Sequence, residues 1–119
     1  MGLDLNLLPF DGDMGSMNFS HTVLDCERRS QLFEELEGLP AVRVPEDFNT
    51  YLCKDDEYEE SHYGNTQDTP YGEPLTYVLA EQLVPFASHE GVENHFKNRA
   101  IWAYLKELPP RTKVALYWH

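Results

Sequence analysis

The chain opens on alternation. Leu3, Leu5 and Leu7 fall on one side, Asp4 and Asn6 on the other. A period of two with a polar reverse face predicts a half-buried strand, and Pro9 is expected to limit how far it runs. Asp11-Gly12-Asp13 and Gly15-Ser16 form a turn cluster, since glycine supplies positive φ and aspartate bonds its own backbone. Met17, Phe19, His21 and Val23 then alternate with Asn18, Ser20 and Thr22. A second strand, hairpin-paired with the first, is preferred here to a helix capped by Ser20.

Asp25 is placed to cap a helix from Cys26 to about Glu37. Its apolar stripe is Leu32, Phe33 and Leu36, with Arg29 beside it, and Gly38 and Pro40 end it. Val42 and Val44 flank Arg43 in a short strand stopped by Pro45, and residues 47–52 carry a weak signal for a helical turn. Leu79, Leu83 and Phe86 suit a short amphipathic helix that Pro85 kinks or ends. The clearest helix runs from Glu93 to Leu108, striped by Ile101, Leu105 and Leu108, with Phe96 and Trp102 at its edges and Pro109-Pro110 as its stop. Val114, Leu116 and Trp118 alternate with Ala115, Tyr117 and His119, a C-terminal strand expected to pair beside an N-terminal one. The expected fold is therefore a single α+β domain over residues 1–119. It has a small antiparallel sheet of three to four strands, with two or three helices packed on one face.

Composition changes this picture in one place. The 119 residues carry 21 acids and 9 bases, a formal charge of −12. Residues 1–75 hold 17 acids and 4 bases, a net of −13, while residues 76–119 hold 4 acids and 5 bases, a net of +1. A field of that sign repels nucleic acid phosphates and favours encounter with a basic partner, or serves only to keep the surface solvated. The hydrophobic share of 41% argues against intrinsic disorder. No apolar run approaches a membrane span and no secretory leader opens the chain, so a cytoplasmic location is expected.

The excess charge peaks in a long loop at about 54–74. Its hydrophobic content is mostly tyrosine, and Asp55, Asp56, Glu57, Glu59 and Glu60 leave only Tyr58 between them. Ionised groups packed this densely have no place in a core. Tyrosine area with carboxylate steering suits a protein interface. Asp55, Asp56, Glu57, Tyr58, Glu59, Glu60 and Tyr63 are thus the candidate partner-binding residues, for a basic surface on another protein. A dense carboxylate array also imitates a nucleic acid backbone, so it would compete for a basic groove.

Other chemistry is thin. The five histidines show no His-x-x-x-His spacing, and the two cysteines form no Cys-x-x-Cys pair, so no metal or cofactor is expected. Asp11-Gly12-Asp13 resembles the opening of a calcium loop but lacks the later ligands. Cys26, near the start of a predicted helix and followed by Arg28 and Arg29, has the setting of a thiolate. A buried small apolar residue is the stronger reading. Both cysteines are expected as free thiols. Arg28 and Arg29 are possible anion-binding residues, or partners of local acids such as Glu27 and Glu34.

Three segments carry a resemblance: Met1 to Phe10, Ser20 to Leu24 running into Arg28-Arg29, and Leu108 to His119. They resemble small bacteriophage-encoded proteins of unassigned function, at both ends and not in the acidic loop. The resemblance carries no catalytic motif. It implies an accessory protein acting in the bacterial host cytoplasm, and by analogy of class an inhibitor of a host defence or nucleic-acid-handling protein. A non-catalytic acidic inhibitor is therefore the leading expectation, with no direct nucleic acid or membrane binding. The alternatives are a binder of a small molecule or nucleotide signal, using Arg28, Arg29 and aromatic stacking, and a small metal-dependent hydrolase.

Overall fold

A computed structural model describes residues 4–10, 19–20, 22–50, 68–69 and 72–119. Its strands are β1 (Leu5–Phe10), β2 (Phe19–Ser20), β3 (Leu24–Asp25), β4 (Val42–Arg43), β5 (Asn49–Thr50), β6 (Thr76–Leu79) and β7 (Lys113–Trp118). Its α-helices are α1 (Ser30–Glu37), α2 (Ala80–Leu83), α3 (Glu90–Glu93) and α4 (Phe96–Glu107), with a 3-10 turn at Val84–Ser88 after α2.

The fold is α+β, built on one antiparallel sheet of five strands in the order β3-β1-β7-β6-β4, a wider sheet than expected. The two ends of the chain pair as anticipated: Leu5 lies opposite Trp118, Leu7 opposite Leu116 and Phe10 opposite Lys113. The strand does not stop at Pro9, which sits opposite Val114. On its other side β1 meets β3 only at Asn6 and Leu7, so the proline lies where that edge has no registered partner and its missing N–H costs no ladder bond.

Several elements differ from the sequence expectation. The hairpin partner of β1 is β3, while β2 pairs in parallel with β5. Met17, Asn18 and His21 of the expected second strand lie outside the described residues. The first helix begins at Ser30 rather than Cys26, and Asp25 belongs to β3 instead of capping it. The physical reason is competition for backbone donors. Cys26 N–H donates to Leu5 O (3.1 Å) and Glu27 N–H to Asn98 Oδ1 (2.8 Å), which holds this stretch extended. Thr76–Leu79 is a strand between β7 and β4 that the sequence did not predict; Leu79, expected on a helical stripe with Leu83 and Phe86, ends that strand, and helix begins at Ala80. Residues 46–47 turn under a Phe48 N–H to Pro45 O bond and lead into β5, so Asn49 and Thr50 are strand rather than helical turn; residues 51–52 of that expectation lie outside the described residues. The helix expected from Glu93 to Leu108 runs over Phe96–Glu107 as α4, and Asn94–His95 separate it from the short α3, which ends at Glu93. His89 and His95 cap the two helices: Nδ1 accepts from Gly91 N–H (2.9 Å) and from Lys97 N–H (3.2 Å) respectively.

The core has two faces. On the first, Leu5, Leu7, Val78, Val114 and Leu116 of the sheet meet Leu32, Phe33 and Leu36 of α1, Leu83 of α2, Val92 of α3, and Ile101, Trp102 and Leu105 of α4. Trp102 is fully enclosed and its indole N–H donates to Leu83 O (2.8 Å). Phe96, expected at the edge of that stripe, is 71% exposed and stacks on His95 instead. On the second face, Leu8, Phe10, Ala115 and Tyr117 are covered by Val44, Phe48 and Leu75, with Phe10 and Phe48 edge to face at 4.8 Å. β1 is therefore buried on both sides, not half-buried.

Two contacts bind the helical layer. Gly91 lies against α1 so closely that a Cβ there would stand 2.7 Å from Leu32 Cβ. Asn98, fully buried, donates from Nδ2 to Glu27 O (3.1 Å) and Gly91 O (2.9 Å) while Oδ1 accepts from Glu27 N–H, so one amide ties α4 to α3 and to the approach to α1.

Candidate functional site

The charge on α1 is placed against the helix's own field. Its sequence, Ser-Gln-Leu-Phe-Glu-Glu-Leu-Glu, puts Glu34, Glu35 and Glu37 at the C-terminal end and no base in the last turn. The carbonyls of that end carry partial negative charge and favour cations, so acids there are unfavourable by a few tenths to about 1 kcal/mol each. Glu35 finds compensation at His89 Nε2, 3.1 Å away. Glu34 and Glu37 are exposed and make no ion pair among the described residues.

Glu37 stands on the wall of a cleft of about 440 Å³. The floor is sheet: Thr76 of β6 with Leu116 and Trp118 of β7, on the face that carries the helices. One wall is the end of α1 and the chain after it, through Leu36, Glu37, Leu39 and Ala41. The other is a turn of Thr69, Glu73 and Pro74. That turn is tight. Thr69 N–H donates to Glu73 O (2.8 Å), Gly72 N–H to Thr69 O (2.9 Å), Asp68 bridges Pro74, and Gly72 takes the positive φ of 83° that glycine alone adopts freely. The cleft thus has an apolar floor and flank, two carboxylates at its walls and no lysine, arginine or histidine among its described lining residues. Trp118 packs edge to face on Phe33 (5.7 Å), which fixes the ring between core and cleft.

The residues singled out in the sequence fall elsewhere. Asp55, Asp56, Glu57, Tyr58, Glu59, Glu60 and Tyr63 lie outside the described residues. The chain that contains them leaves β5 at Thr50 and is next described at Asp68, one residue before the cleft wall at Thr69. Arg28 forms a two-point pair with Asp4, Nε to Oδ1 at 2.9 Å and Nη2 to Oδ2 at 2.8 Å. Those hydrogen bonds, with the guanidinium charge, hold the Asp4 carboxyl below its usual range. Arg29 occupies the N-cap position of α1 and lines a separate hollow of about 300 Å³ with Ser30, His89 and Gly91. The structure does not join the two arginines in one site: one is held by Asp4, the other faces this hollow.

Cys26 is a buried free thiol. Burial, with Asp25 adding to it, pushes its pKa up to about 12. It is protonated at neutral pH and has no nucleophile's setting. Cys53 lies outside the described residues. Among the described residues no three His, Cys, Asp or Glu side chains gather as a metal site, and no helix is long and apolar enough to cross a membrane.

Glu37, Glu73 and Trp118 were not singled out as site residues by the sequence reading. A signal for the first was present: a run of glutamates against Gly38 with no base, at the end of a helix that ordinarily takes cations. Glu73 was legible only as one acid of the loop at 54–74 and Trp118 only as an apolar position of the last strand, because only the β6–β7 pairing brings the turn beside the last residues of β7. The chain matches no protein-family model, no curated protein and no solved structure.

Proposed function

We propose that this is a non-catalytic binding protein that docks on a basic surface of another protein. The observation that carries the reading is the end of α1. There Glu34 and Glu37 stand against the helix field with no base in the last turn and no ion pair among the described residues, beside a cleft whose other wall brings Glu73. Natural chains break a local rule of this kind chiefly where function requires it. The five carboxylates of residues 55–60 add to the same sign, and the chain returns from them to the cleft wall. The resemblance to phage proteins makes the partner a host defence or nucleic-acid-handling protein, blocked when its basic groove is covered. The nucleotide-signal alternative has less support, since Asp4 takes the fork of Arg28.

The test uses the protein as bait in bacterial lysate, then a titration with the purified partner at low and moderate salt. Wild type is compared with a variant in which Asp55, Asp56, Glu57, Glu59 and Glu60 become Asn or Gln. The association rate is expected to fall with salt and with neutralisation, because steering is screened over about 8–10 Å. Equal rates in both proteins at both salt levels would sink electrostatic docking.

A further inference from the structure

We infer that the cleft between α1 and the β6–β7 sheet receives an arginine or lysine side chain of the partner. The aliphatic stem would lie on Leu36, Leu116 and Trp118, and the charged head between Glu37 and Glu73. This rests on the docking reading above and names where it is made. Long basic side chains cover apolar surface with their stems while their heads stay polar, and the cleft offers those two surfaces side by side. Its volume of about 440 Å³ is that of a small-ligand site, enough for one such side chain and the backbone that carries it. Charge selects the occupant. Two wall carboxylates, a helix C-terminus and a chain of net −12 all favour a cation. The same charges disfavour occupation by the chain's own residues 54–67, which hold five acids and one lysine.

The two tryptophans make the cleft readable. Trp102 is sealed in the core and bonded to Leu83 O, so a change in fluorescence or in acrylamide quenching on binding reports Trp118. The probe is an end-blocked peptide alternating arginine and alanine, free of tyrosine and tryptophan, with a glutamate–alanine peptide as control. The arginine peptide is expected to shift the emission and protect Trp118, and the control to do neither. Glu37→Gln with Glu73→Gln should weaken binding roughly 3- to 20-fold, as two exposed ion pairs are lost. Ala41→Arg, which sets the protein's own cation at the exposed wall, should abolish the signal. Melting temperatures near wild type establish that the variants are folded.

Arginine-peptide binding that is equal in the double-Gln variant, leaves Trp118 unchanged and is weakened by neutralising residues 55–60 would overturn the cleft assignment and leave the docking reading standing. Failure of the arginine peptide to bind at all would overturn both. Arginine-peptide binding with no change in the emission or quenching of Trp118 would show that the cleft does not receive the side chain and would also overturn it.

Discussion

At the residue scale, a buried thiol, a surface carboxylate and a buried amide dominate what can be tested. Cys26 keeps its proton in the folded state up to about pH 12, against 9.0 for an ordinary thiol. A raised folded pKa means that its contribution to stability is complete below pH 9 and is lost as pH rises from 9 towards 12. Urea unfolding of wild type and Cys26→Ala from pH 8 to 11 should therefore converge at the alkaline end. Parallel curves would contradict the burial. Asp4 runs the other way. Its lowered pKa gives stability that is present above about 3.8 and lost as pH falls below it, and Arg28→Gln should flatten that acid limb. Asn98 is the more consequential amide. Replacing it with Ala removes the partner of the buried Gly91 O and of the part-buried Glu27 N–H, which should cost roughly 2–4 kcal/mol. A loss under about 1 kcal/mol in denaturant titration would show that solvent replaces the amide.

At the element scale, α1 opposes stability to binding. If Glu37 is retained for a cation, Glu37→Gln should raise the stability of the free protein by a few tenths to about 1 kcal/mol, since it removes an acid from the negative end of the helix. The same change should weaken the basic partner. The two signs are read by thermal unfolding and by titration. A variant that loses stability, or gains it with unchanged binding, would remove the functional reason for the placement. The stripe of α1 was legible because Leu32, Phe33 and Leu36 need only their own spacing to be read. Its start was not, because Cys26 and Glu27 give their N–H groups to Leu5 and Asn98. Phe96 illustrates the same limit. Its spacing fits the stripe, but His95 ends one helix and caps the next, so the ring is turned to solvent.

At the scale of the whole molecule, β7 is the interior strand between β1 and β6 and supplies both core faces. Deleting Val114 to His119 should abolish cooperative unfolding followed by circular dichroism, and a truncated chain that melts like wild type would refute its role. Trp118→Ala alone should cost less, roughly 1–3 kcal/mol, because the ring is only half-buried between Phe33 and the cleft.

By itself the sequence determined the alternation of the two terminal strands, the apolar stripes of α1 and α4, the α+β class and the concentration of charge in the first two-thirds. The alternation and the stripes are statements about neighbours two to four positions apart, where side-chain direction follows from backbone geometry alone; the class follows from their order along the chain, and the charge is a count that needs no geometry. Tertiary structure decided the rest. Thr76–Leu79 became a strand because β7 offered an open edge, and β1 was buried on its second face because Phe48 and Leu75 came to cover it. The cleft joins residues 36–41, 69–76 and 116–118, which no periodicity relates. Partners that far apart compete for the same backbone donors and the same apolar surface, and that competition is settled only when the whole chain packs.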